Sequence, residues 1–136
     1  LAGWNPEAFG QAETSLLASD ILARQGLPLM FLESVLLDPA AETAVFQWAP
    51  ISIAMRFTNR VFPIVAASTI PFILLHIAFD ITSAPSVAVG GILLACTFIH
   101  WRAESTLKAL WTTTMLHSLG NAIALTLGYL LTIVLP

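Results

Sequence analysis

From Ala109 to Pro136 the chain runs 28 residues without a single Asp, Glu, Lys or Arg, and no other feature restricts its fold as strongly. As a straight α-helix this stretch is about 42 Å long, more than the roughly 30 Å of a hydrocarbon core, so it must tilt or emerge from the bilayer. Two further runs carry no formal charge, Val61 to Phe79 with 19 residues and Ala84 to Trp101 with 18. Each is close to the roughly 20 residues that span a membrane. A backbone in lipid satisfies its own hydrogen bonds only as a helix or a closed barrel, and runs of this length suit helices. A fourth apolar stretch, Leu27 to Met55, is interrupted by Glu33, Asp38, Pro39 and Glu42 and reads as one long kinked helix. The expected fold is all-α, a polytopic transmembrane helix bundle of about four spanning helices. Ahead of it, Leu16, Leu17, Ile21 and Leu22 share a stripe opposite Glu13, Ser19, Asp20 and Gln25, which predicts an amphipathic interfacial helix ended by Gly26 and Pro28. Residues 1–26 are therefore read as a polar, interfacial segment and residues 27–136 as the helical core.

Composition agrees. With 57% hydrophobic and 10% charged residues and a mean hydropathy of +0.86, the chain lacks the polar surface of a soluble domain. Its net charge is −3 with no basic cluster, so neither nucleic acid nor a polybasic lipid patch is expected. The lone Cys96 excludes a disulfide framework and a cysteine-based metal site. The chain opens on Leu1, and its first dozen residues lack both a basic and an apolar signal region, so a segment of a longer protein is expected. Arg56 and Arg60 fall in one loop, Arg102 and Lys108 in another, and the positive-inside rule places both in the cytoplasm. Trp48, Trp101, Trp111 and Tyr129 are candidate interface anchors, with packing on a neighbouring helix the preferred expectation for Trp48.

Ionisable groups within a span are costly unless they face the bundle interior. Glu42 lies 14 residues before Arg56, His76 lies 16 after Arg60, and Asn121 lies 13 after Lys108, giving depths of about 21, 24 and 20 Å along their helices. They fall near one plane. His117, four residues before Asn121, shares its helix face. Gly120, Ala124 and Gly128 form a small-residue series that predicts close approach of another helix there. Pro39 and Pro71 precede Glu42 and His76 closely and are expected to kink their helices beside a wet cavity. With a water there, Glu42 can take its proton, His76 can orient it, and His117 and Asn121 can donate to a developing oxyanion. Singly, a membrane His or Asn more often serves as an interhelical hydrogen-bond former. His100 beside Trp101 reads as interfacial, and Glu33 and Asp80 as facing water.

Three ordered motifs carry a resemblance: Pro39-Ala-Ala-Glu42-Thr43-Ala-Val-Phe46-Gln47-Trp48, then Phe72-Ile-Leu-Leu-His76, then Leu110-Trp111 leading into His117-Ser-Leu-Gly-Asn121. In order and spacing they resemble the CAAX-protease and bacteriocin-processing family of intramembrane glutamic endopeptidases. The resemblance implies that Glu42 activates water, that His76 is its partner, and that His117 and Asn121 stabilise the transition state. It implies no cofactor and no metal, a bilayer and a peptide or lipidated protein as partners, and residence in a bacterial inner (plasma) membrane. The first motif departs from the family's Glu-Glu-x-x-x-Arg-Gly, with Thr43 for the second Glu, Gln47 for Arg and Trp48 for Gly. Thr43 and Gln47 keep the spacing of that ion pair with neutral groups.

Two functions compete. The first is an intramembrane endopeptidase acting on a membrane-associated or prenylated substrate. The second, suggested by the altered motif, is a catalytically divergent pseudoprotease serving as a structural or assembly subunit with other membrane proteins. A catalytic zinc site is a third class, since two His and one Glu match its ligand types, but no His-Glu-x-x-His is present.

Overall fold

Proline placement shapes the first helix. The computed structural model describes residues 27–134, so the expected interfacial helix before Gly26 lies outside the described residues. Residues 27–54, here α1, form one continuous helical run in which α-helical segments Leu27–Leu32, Asp38–Glu42 and Ala49–Ala54 alternate with π-helical turns Glu33–Leu37 and Thr43–Trp48. The expected kink near Pro39 takes the form of these widened turns. A π turn shifts the hydrogen-bond ladder by one residue, and Asp38 N–H accordingly donates to the Glu33 carbonyl. The next rung would need an N–H on residue 39, which proline lacks. The Ser34 carbonyl is thereby left without a ladder partner, and Asn121 Nδ2 of the last helix donates to it at 2.9 Å.

Pro50 repeats the device. In α-helical register it would be the donor to the Phe46 carbonyl, and instead the Ser68 hydroxyl of the next helix donates to Phe46 at 2.7 Å. Near each proline a side chain of a neighbouring helix thus donates to a carbonyl of α1, as membrane helices tolerate proline when a neighbour satisfies freed carbonyls.

Helix α2 spans Val61–Ile77 and holds Pro71 inside an unbroken α-helical stretch. It stops two residues short of the uncharged run, because Phe79 N–H and Asp80 N–H both turn back to the His76 carbonyl. A 3-10 turn, Ile81–Ser83, leads into α3, Ala84–Arg102, and after a short connection α4 runs Thr106–Val134. The turn is capped by Asp80, whose carboxylate accepts from Thr82 N–H at 2.9 Å and from the Thr82 hydroxyl at 2.7 Å. These bonds hold the exposed Asp80 carboxyl below its ordinary range.

The described residues are all-helical, and α1 packs on both α2 and α4 while α3 packs on the same two. Two stretches, Ile81–Arg102 and Thr106–Leu131, are long and apolar enough to cross a membrane, and Val61–Ile77 is a shorter apolar helix. A dry core of Ile51, Ile64, Ala95, Phe98 and Ala109 closes the end that carries the basic loops. There Arg102 Nη1 donates to Ser52 Oγ at 2.7 Å, and Lys108 pairs with Glu104 while lying 4.0 Å over the Trp101 ring. Elsewhere the outer faces are apolar: Ile70, Leu74, Leu93 and Leu119, each within a helix, are all more than half exposed. That surface suits acyl chains rather than water. Trp48, expected to pack on a neighbour, is 43% exposed, while Gln47, four residues after buried Thr43, takes the buried position.

Candidate functional site

The polar residues singled out in the sequence converge. Glu42, at the end of the Asp38–Glu42 segment, points its Oε2 at two imidazoles: His117 Nε2 of α4 at 3.5 Å and His76 Nε2 of α2 at 4.0 Å. Among the described residues this oxygen is buried and accepts no hydrogen bond. His76 is oriented by its own helix, because its Nδ1–H donates to the Phe72 carbonyl at 2.8 Å. That bond places a proton on Nδ1 and leaves Nε2 as the ring nitrogen that faces Glu42. A separation of about 4 Å is one that a single bridging water closes with two bonds of ordinary length.

Phe72 spaces the imidazoles. Its ring is buried and lies 4.3 Å from the His76 ring and 5.8 Å from the His117 ring, the latter edge-on, with Phe46 edge-on behind it at 5.8 Å. In the sequence Phe72 drew notice only as part of the Phe-x-x-x-His motif. Its structural role follows from helical spacing, which stacks residues four apart on one face.

Asn121 belongs to the same constellation through the Ser34 carbonyl. An amide nitrogen has two hydrogens, so one is committed to α1 and the second remains for a ligand. His76, His117 and Asn121 form one wall of a cavity of about 410 Å³ between α2, α3 and α4. Glu42 stands behind the imidazoles, on the α1 side. Gly120 and Ala124, expected to receive a neighbouring helix, instead line this cavity, and a Cβ added at Gly120 would meet nothing within 4 Å. The small residues open space where close packing was expected.

Behind Glu42 lie the departures from the family motif. Thr43 and Gln47 are fully buried, and Thr113, one helical turn before His117, is fully buried as well. Their side-chain oxygens, the Gln47 amide nitrogen and His117 Nδ1 have no hydrogen-bond partner among the described residues. The i, i+4 spacing of Thr43 with Gln47, and of Thr113 with His117, gives two polar stripes on helices that pack together. Neutral groups suit this position, since a lone buried charge would be far more costly. Thr113 was missed in the sequence because threonine is common in membrane helices. Among the described residues no set of three or more His, Cys, Asp or Glu side chains is arranged to hold a metal ion.

A family model described as type II CAAX prenyl endopeptidase, Rce1-like, matches residues 24–123, most of the chain and every residue of the convergent site. The chain belongs to this family. No curated protein and no solved structure matches the chain. Membership in the Rce1-like endopeptidases, together with two helices apolar enough to cross a bilayer, makes this an integral membrane protein of a protease family. Within that family the resemblance seen in the motifs and the match over residues 24–123 coincide.

Proposed function

We propose that this Rce1-like chain is an intramembrane endopeptidase that hydrolyses a peptide bond of a membrane-associated or lipid-modified substrate. The observation that carries the reading is the Glu42 carboxylate flanked by His117 and His76 at 3.5 and 4.0 Å, inside a bundle with an apolar exterior. A water held between Glu42 and His76 gives a proton to Glu42, and its oxygen bonds to the substrate carbonyl carbon. The resulting oxyanion receives hydrogen bonds from His117 and from the free N–H of Asn121. Collapse breaks the C–N bond, and the proton on Glu42 passes to the leaving amine. No covalent enzyme intermediate is needed.

The proposal includes four spanning helices, α1 to α4, in a bacterial inner membrane with the Arg56, Arg60, Arg102 and Lys108 end in the cytoplasm. The 17 residues of α2 cover about 25 Å, enough for a slightly thinned bilayer. The test is hydrolysis of a lipidated peptide ending in a CAAX sequence by the purified chain in liposomes, run in heavy-oxygen water with and without chelator. The expected result is one heavy oxygen in the new carboxylate, unaffected by chelator and lost in His76→Ala. An inert wild-type chain that copurifies in fixed stoichiometry with other membrane proteins refutes it in favour of a pseudoprotease subunit, the reading to which the neutral Thr43 and Gln47 lend support. Inhibition by chelator refutes the metal-free chemistry.

A further inference from the structure

Two adjacent glycines in α3 differ in what surrounds them. A Cβ on Gly91 would stand 3.1 Å from side-chain carbons of both Phe72 and Thr69, whereas a Cβ on Gly90 would meet nothing within 4 Å. Gly91 is therefore a packing glycine, set where α3 crosses α2. Gly90 has no such duty, and glycine weakens a helix interior. It faces the same cavity as Gly120, across which a Cβ is equally unopposed.

The cavity has one polar wall, from His76, His117 and Asn121, and otherwise mainly aliphatic walls that include Val87, Leu93 and Leu116. Leu93 and Leu116 line the cavity and are themselves exposed, so the space is open at the surface of α3 and α4 and not sealed within the bundle. Asn121, on that wall, gives one amide hydrogen to the Ser34 carbonyl and keeps the second for a ligand. A ligand reaching this cavity from the bilayer has an apolar body and places a polar group at the imidazoles. At about 30 Å³ per methylene-sized group, 410 Å³ holds roughly fourteen such groups.

We propose that Gly90 and Gly120 set the length of apolar chain that this cavity accepts, the occupant being the long lipid chain of a substrate whose peptide bond lies at Glu42. This rests on the endopeptidase reading for the role of the ligand, though not for its binding. A leucine at Gly90 would fill the space of about four methylene-sized groups and exclude the far end of a long chain.

The test is binding, measured by fluorescence anisotropy, of peptides bearing an S-octyl or an S-hexadecyl chain to the full chain carrying Glu42→Gln in nanodiscs, where no turnover occurs. Gly90→Leu is expected to weaken the hexadecyl peptide by about tenfold or more and the octyl peptide by less than about twofold. Gly128→Leu, at a glycine outside the cavity that is equally unopposed, is expected to change neither. Equal binding of both peptides before and after Gly90→Leu means that bilayer acyl chains fill the cavity, and overturns the proposal. So does equal loss of both, or the same selective loss in Gly128→Leu. Gly90→Ala, with a far smaller side chain, is expected to bind both peptides nearly as before, and a large loss there also overturns it. A wild-type chain that binds with this chain-length dependence yet cleaves nothing defeats the endopeptidase reading alone.

Discussion

Asn121→Ala tests the link between proline and interhelical bonding most sharply, because the structure says in which background the substitution should matter. With Pro39 present, the Ser34 carbonyl has lost its ladder donor, and Asn121 Nδ2 supplies the replacement at 2.9 Å. Interhelical side-chain bonds in membranes are worth about 0.6 to 2 kcal/mol. The upper half of that range, about 1 to 2 kcal/mol, applies where the acceptor is left with nothing. In Pro39→Ala, residue 39 regains an N–H that can reach Ser34 in π register, and Asn121→Ala should then cost only a few tenths of a kcal/mol. The expected coupling is about 1 kcal/mol in a double-mutant cycle. Reversible unfolding in mixed micelles, titrated with sodium dodecyl sulfate and followed by far-ultraviolet circular dichroism, measures it. Equal cost of Asn121→Ala in both backgrounds would refute the reasoning.

Ser68→Ala removes the donor to the Phe46 carbonyl and should lower stability by about 1 kcal/mol in the same titration, with Ser68→Thr largely sparing it. Gln47→Leu should raise the melting temperature, since both polar atoms of Gln47 are buried and unpartnered among the described residues and their removal relieves about 1 to 3 kcal/mol of desolvation. A fall in melting temperature would mean that the amide is satisfied. The Asp80 carboxyl titrates below its ordinary range in the folded chain, so its cap stabilises the turn at neutral pH and is lost as pH falls through the folded pKa. The protection of the Thr82 amide, its exchange rate relative to the intrinsic rate at each pH, should therefore fall below about pH 4, and Asp80→Asn should remove that dependence.

How much of this was legible in the sequence depends on which interaction decided each feature. The helices could be read because lipid leaves a backbone few options, and the charges at Arg56, Arg60, Arg102 and Lys108 mark where the apolar runs stop. Glu42, His76, His117 and Asn121 were visible as polar side chains at matching depths, and the structure brings them together. The π turns were not visible. They depend on how a ladder shifts around Pro39 and Pro50, and on which helix presents Asn121 or Ser68 to a freed carbonyl. Gly120 and Ala124 misled for a related reason, since small residues permit either close packing or open space, and only the neighbouring helix decides. Trp48 misled because size and apolarity suggested the buried side chain, whereas Gln47, four residues after buried Thr43, shares the inward face.

The most direct test of the hydrolytic centre is the single-turnover rate of lipidated-peptide cleavage by Glu42→Gln beside the wild-type chain, with unfolding measured on both. Loss of a general base should slow the wild-type rate by about a hundredfold or more while the unfolding midpoint stays near the wild-type value. Cleavage by Glu42→Gln at the wild-type rate would contradict the account.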